Sequence, residues 1–204
     1  VNQDLDQDLA GVEPMDRELI IIVSGLPRSG TSMMMKMLEA GGVEPLTDNI
    51  RKADEDNPQG YYEFERVKQI EHDKAWLEQA RGKAVKMISA LLKHLPSQYQ
   101  YKVIFMQRDV VEVLASQKEM LIRRGEPADK VDDEKMAAIF RRHLAQVQAW
   151  LDKQPNVAVL YVDYGQTVEG PLVQAQRVTD FLGGSLNVPA MATAVDSRLY
   201  RQRV

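Results

Sequence analysis

The chain has 204 residues, 44% of them hydrophobic and 27% charged, with a formal net charge of −4 and no cysteine. That length supports one domain with a substantial core, and the acidic balance offers no general attraction to nucleic acid or to an anionic membrane. Without cysteine there are no disulfides and no thiolate metal sites, and no apolar run approaches the roughly 20 residues of a membrane span.

Residues 1–17 are polar and acidic and read as an N-terminal tail, leaving 18–204 as the folded domain. "LIIIVSG" (19–25) is short, β-branched and ends in glycine, which marks a buried strand. "TSMMMKMLEAGG" follows as a helix closed by Gly-Gly. Residues 43–62 mix charge, Pro and Gly without period and read as a long loop, and such loops tend to carry function. "EFERVKQIEHDKAWLEQA" (63–80) places Val67, Ile70 and Leu77 on one stripe, so a helix is expected. "KAVKMIS" (83–89) is a strand, and "YKVIFMQRD" (101–109) is a second strong one. Helices are expected over 110–124 and over 132–153, the latter through Met136, Phe140, Leu144, Val147 and Leu151. "VAVLYVDY" (157–164) is another strand, and the helix from Pro171 ends at Gly183-Gly184. Strands alternating with helices imply an α/β fold: one three-layer domain with a central parallel sheet.

The chemistry gathers at "GLPRSGTS" (25–32), which joins the first strand to the first helix. Gly25, Gly30 and Ser32 keep the spacing of the G-x-x-x-x-G-K-[ST] phosphate loop, but Thr31 stands where that loop has lysine. A cation appears three places earlier, as Arg28. The backbone N–H groups of such a loop and the helix N-terminus form an anion site. Lacking the lysine that grips a triphosphate, it suits a ligand with one 5′-phosphate and a group leaving from it. Arg108, at the end of the second strong strand, is followed eight residues later by Ser116. This pair can hold a second phosphate, well separated from the first.

Together "GLPRSGTS" and "RDVVEVLAS" resemble the phosphosulfate loop and the 3′-phosphate element of sulfotransferases that use 3′-phosphoadenosine 5′-phosphosulfate (PAPS). "VLYVDYGQTVEGPLVQAQRVTDFLG" resembles that family's later strand, Tyr-rich turn and helix, so the similarity runs over about 19–184, as in a short, bacterial-type member. The resemblance implies in-line sulfuryl transfer to a hydroxyl or amine of a small-molecule or carbohydrate acceptor. Adenosine 3′,5′-bisphosphate (PAP) would be the product, and no metal is obligatory. Pro27, Arg28, Ser29, Gly30, Thr31 and Ser32 would bind the donor with Arg108 and Ser116, and Arg28 would also stabilise the leaving group.

The base is less legible. Many cytosolic members carry a histidine just after the strand that corresponds to "AVKMIS", where this chain has Met87 and Ile88. Other branches use a carboxylate after the first helix, which makes Asp48 the first candidate here and Glu63 the second, with His94 in reserve. Lys86 matches a lysine expected to face the sulfuryl group. His72 and His143 fall on polar helix faces and are expected to be solvated. Arg198 and Arg201 are possible phosphate contacts in a basic C-terminal segment. The loops 43–65 and 123–134 would shape the acceptor pocket. Two alternatives remain: a P-loop kinase with Asp163 as magnesium ligand, and a non-catalytic nucleotide-binding module. A cytoplasmic location fits the absence of a secretory pattern at the N-terminus.

Overall fold

The computed structural model describes residues 16–48, 50, 60–127, 132–184 and 186–196. Most of the tail read at 1–17, together with Arg198 and Arg201, therefore lies outside the described residues. Four parallel strands, β1 (Ile20–Gly25), β2 (Ala84–Ile88), β3 (Tyr101–Gln107) and β4 (Val157–Asp163), form one sheet in the order β2-β1-β3-β4. The α-helices are α1 (Thr31–Ala40), α2 (Val110–Arg123), α3 (Asp133–Leu151), α4 (Tyr164–Glu169), α5 (Pro171–Leu182) and α6 (Val188–Thr193).

β1 is buried along its whole length, which explains its unbroken apolar run. Alternate side chains serve two cores. Ile21 and Val23 pack with Met34, Leu38, Val178 and Met191 of α1, α5 and α6. Ile20 and Ile22 pack on the other face with Trp76, Phe105, Val147 and Leu151. Helices on both faces make the three layers expected of the sequence. Each of these fully buried aliphatic side chains contributes about 1.5–3 kcal/mol relative to exposure, so a polar replacement within β1 would threaten both cores.

The order of the strands sets where a ligand can sit. From β1 the chain goes to one neighbour, β2, and then crosses to β3 on the other side. The helices that follow β1 and β3 therefore diverge, leaving a crevice at the carboxyl ends of these strands. The register places Gly25 opposite Ile88 of β2 and Met106 of β3, so all three strands end at one level.

The segment 63–80 differs from expectation. It forms two 3-10 helices, Glu65–Gln69 and Ala75–Ala80, rather than one α-helix. Asp73 causes the break: its carboxylate accepts the Ala75 N–H and both Nε and NH2 of Arg66, offering the backbone a local partner that competes with the helix. Val67, Ile70 and Leu77 are nevertheless all buried. The start of the expected loop 43–62 is also more regular than its composition suggests. Ala84 N–H donates to Glu44 and Leu46 N–H donates to Ala84, so this segment runs beside β2. The short helices α4 and α6 carried no separate signal in the sequence.

Candidate active site

The loop between β1 and α1 is held by its own backbone. The Ser29 N–H and Oγ both donate to the Leu26 carbonyl, at 3.2 and 2.7 Å, and Ser29 is buried. Ser29 thus closes the turn. Gly25 has φ +151°, and a Cβ there would lie 2.5 Å from Ser29 Oγ and 2.7 Å from the Met106 carbonyl. Gly30 has φ +96°, and a Cβ there would fall 2.4 Å from the Tyr164 ring. Both glycines are therefore required by close approach as well as by backbone angle.

α1 opens towards this crevice without a cap. Gly30 supplies no side-chain acceptor, and no acidic residue stands in the first turn. Asp109, Asp132, Asp163 and Asn187 cap α2, α3, α4 and α6. The first-turn N–H groups of α1 have no intrahelical acceptors, and with the helix dipole they favour an anion. Pro27 is exposed at the crest of the loop, and Gly30, Thr31 and Ser32 are half-buried beneath it.

Arg28 has φ +71°, in the left-handed region, which costs a non-glycine residue about 1–2 kcal/mol. Two contacts hold it there. Its Nε donates to Ser116 Oγ at 3.0 Å, and its carbonyl accepts from NH1 of Arg108 at 3.1 Å. The side chains assigned to two well-separated anions are thus laced directly together, because the carboxyl ends of β1 and β3 are adjacent. Arg108 forms a buried ion pair. Its Nε donates to Glu112 Oε2 at 2.8 Å, both side chains are only 7% exposed, and the guanidinium stacks 4.5 Å from the centre of the Tyr164 ring.

Lys86 lies on the other side of α1. Its Nζ reaches Ser32 Oγ at 3.3 Å and the Tyr61 carbonyl, with the Tyr61 ring 5.8 Å away. It ties the loop around residue 61 to the start of α1. That loop carries both candidate carboxylates. Asp48 spends its two oxygens on backbone, accepting the Ile50 N–H at 3.1 Å and the Glu65 N–H at 2.6 Å. Its role in this structure is to pin the loop and cap the first 3-10 helix. The Glu63 carbonyl accepts from Thr47 Oγ1 and from the Asp48 N–H, and its carboxylate stands 4.0 Å from Lys68 Nζ.

Of the two histidines expected to be solvated, His72 is and His143 is not. His72 is exposed, in the turn between the two 3-10 helices, and His94 ends a third one, Ser89–His94. His143 is half-buried on α3 with Nε2 2.8 Å from the buried Ser89 hydroxyl, and burial lowers its pKa from 6.5. It is not a solvated helix residue, because α3 packs against the 3-10 helix that follows β2. Tyr164 and the Ser89–His143 pair also shape this end of the sheet and were not singled out from the sequence. Glu112 and Ser116, four residues apart on α2, share one helical face, and Arg108 just before the helix reaches Glu112.

Comparison with known proteins agrees with this geometry. The model of the family described as sulfotransferase domain matches residues 19–201. Among solved structures, the sulfotransferase domain of the Synechococcus PCC 7002 olefin synthase shares the fold at 16% identity and a TM-score of 0.55, covering 93% of this chain and 81% of that one. The sulfotransferase domain from the curacin biosynthetic pathway does so at 14% identity and 0.54, covering 91% and 79%. Mouse sulfotransferase SULT7A1, solved complexed with PAP, does so at 17% identity and 0.53, covering 92% and 66%. No curated protein matches the sequence significantly. With a family match over nearly its whole length, this chain belongs to the sulfotransferase domain family.

Proposed function

We propose that this protein transfers a sulfuryl group from PAPS to a hydroxyl or amine of a small-molecule or carbohydrate acceptor. The observation that carries the reading is the uncapped N-terminus of α1 flanked by Arg28, Arg108 and Ser116. The donor supplies an activated sulfuryl group whose departure leaves negative charge on the 5′-phosphate. The N–H groups of Gly30, Thr31 and Ser32 face that charge, and Arg28 adds a full positive one. Arginine does not give up its proton, so its role is electrostatic. Arg108 and Ser116 hold the 3′-phosphate. Lys86, at Ser32, provides a second cation beside the reacting group. Glu63 is the base that takes the acceptor's proton, since Asp48 is engaged with backbone N–H groups on both oxygens.

The kinase reading has less support. Asp163 accepts the Gln166 N–H as the cap of α4, and its strand is separated from β1 by β3. Thermal unfolding with added ligands tests the proposal, because a ligand that binds only the native state raises the melting temperature. PAP should raise it clearly and AMP much less. Stabilisation by ATP with magnesium and none by PAP would transfer the site to the kinase class. PAP binding without PAPS turnover over a broad acceptor panel would leave a nucleotide-binding module.

A further inference from the structure

We propose that Arg108 and Glu112 are positioning residues for the donor loop: their buried ion pair fixes the Arg28 carbonyl, and with it the backbone from which the Arg28 guanidinium is presented. The proposal rests on the sulfotransferase reading of Arg28 and adds a role that phosphate recognition does not require. Arg108 is gripped on three sides. Glu112 takes Nε, the Arg28 carbonyl takes NH1, and the face of Tyr164 lies against the guanidinium. Its planar fork converts the position of one partner into the position of the other, which a flexible ammonium cannot do. Glu112 is 5% exposed and comes from α2, an element anchored independently by its Asp109 cap.

Two more observations make this a clamp on the loop. Arg28 holds a left-handed backbone angle that a side-chain-bearing residue keeps only when its surroundings impose it. The Arg108 bond is on the carbonyl of that same residue. Tyr164, which stacks on Arg108, also closes over Gly30, so the loop is held at residues 28 and 30 by two mutually packed side chains. Losing the fork would let Arg28 relax to ordinary backbone angles and carry its guanidinium away from Ser116.

Single-turnover transfer from PAPS and from adenosine 5′-phosphosulfate, which lacks the 3′-phosphate, separates a clamp from a phosphate reader. Glu112→Gln should slow transfer from both donors by roughly 10–100-fold, the scale of a displaced catalytic group. Arg108→Lys keeps the charge and a packed core but loses the fork, and should show the same double loss if Glu112→Gln fails to fold. In protein labelled at arginine Nε, the Arg28 Nε–H resonance, identified by its loss in Arg28→Lys, should move in these variants. Parental rates from the donor without its 3′-phosphate, or an unmoved Arg28 resonance, overturn the proposal. If the parental protein transfers from neither donor, the sulfotransferase reading fails, and the arginine resonance alone still decides the clamp.

Discussion

Asp48 and Glu63 show how little a carboxylate's place in the sequence says about its work. Both lie on the loop that Lys86 ties to α1, and by count along the chain Asp48 had the better claim to be the base. The structure gives Asp48 two backbone N–H groups to hold. Asp48→Asn keeps one acceptor oxygen and loses the charge, and should destabilise the fold by about 1–3 kcal/mol with little change in turnover per folded molecule. Glu63→Gln should leave the melting temperature near parental and cut turnover by roughly 10²–10⁴, the usual contribution of a general base. A pH-rate profile and denaturation curve for each variant check the division. Equal turnover losses at both positions would return Asp48 to the chemistry. Arg28 gives the second test at this scale. Arg28→Ala should lower single-turnover transfer by roughly 10²–10³ and leave PAP affinity much closer to parental, because the N–H groups of α1 remain. Arg28→Lys should recover only part of the rate, since a point charge replaces the planar fork poorly. Parental transfer by Arg28→Ala would remove the catalytic charge from this residue.

Most elements were legible because their signals are local. The β-branched runs of β1, β3 and β4 and the glycine-rich turn after β1 depend on neighbours in sequence, and the strands and α1 fall where these signals put them. The stripe at Val67, Ile70 and Leu77 was read correctly as buried and wrongly as α-helical. Burial periodicity does not register a single Asp73 that captures Arg66 and the Ala75 N–H. The glycine-rich loop after β1 was legible for the same local reason, while Tyr164 was not: it reaches that loop only through the order of the strands. What α1 does with its uncapped end can be measured by amide hydrogen exchange. On addition of PAP the N–H groups of residues 30–33 should gain protection, as they acquire the acceptors that helix geometry denies them. The first turn of α2 already has its Asp109 cap, whose carboxylate accepts the Val111 N–H at 2.7 Å, and should change far less. Protection spread evenly over both helices would point to general tightening of the fold and not to an anion seated on α1.

At the scale of the whole molecule, the two cores on either side of the sheet meet the site at different groups. The α1 face brings Lys86 and the uncapped helix end, and the α3 face brings His143 to Ser89. No histidine stands at Ile88, which is 49% exposed, yet the packing of α3 returns an imidazole to the adjacent residue of the chain. Contacts between residues 54 apart leave no mark that one sequence can reveal. They do leave a thermodynamic one. Burial disfavours the charged imidazole, so the pKa of His143 in the native state lies below its ordinary value of 6.5. Below that value the unfolded chain binds a proton that the native state resists, and the difference in bound protons makes stability fall as the pH is lowered. The contribution of a neutral His143 is therefore fully present above about pH 6.5 and is lost as the pH drops towards the native pKa. His143→Gln keeps an amide that can meet the Ser89 hydroxyl and removes the titration. Between pH 7.5 and 5.5 the melting temperature of the parental protein should fall by more than that of His143→Gln. Parallel decreases for the two proteins would mean that the imidazole charges as easily in the fold as outside it, and that α3 does not hold His143 neutral against Ser89.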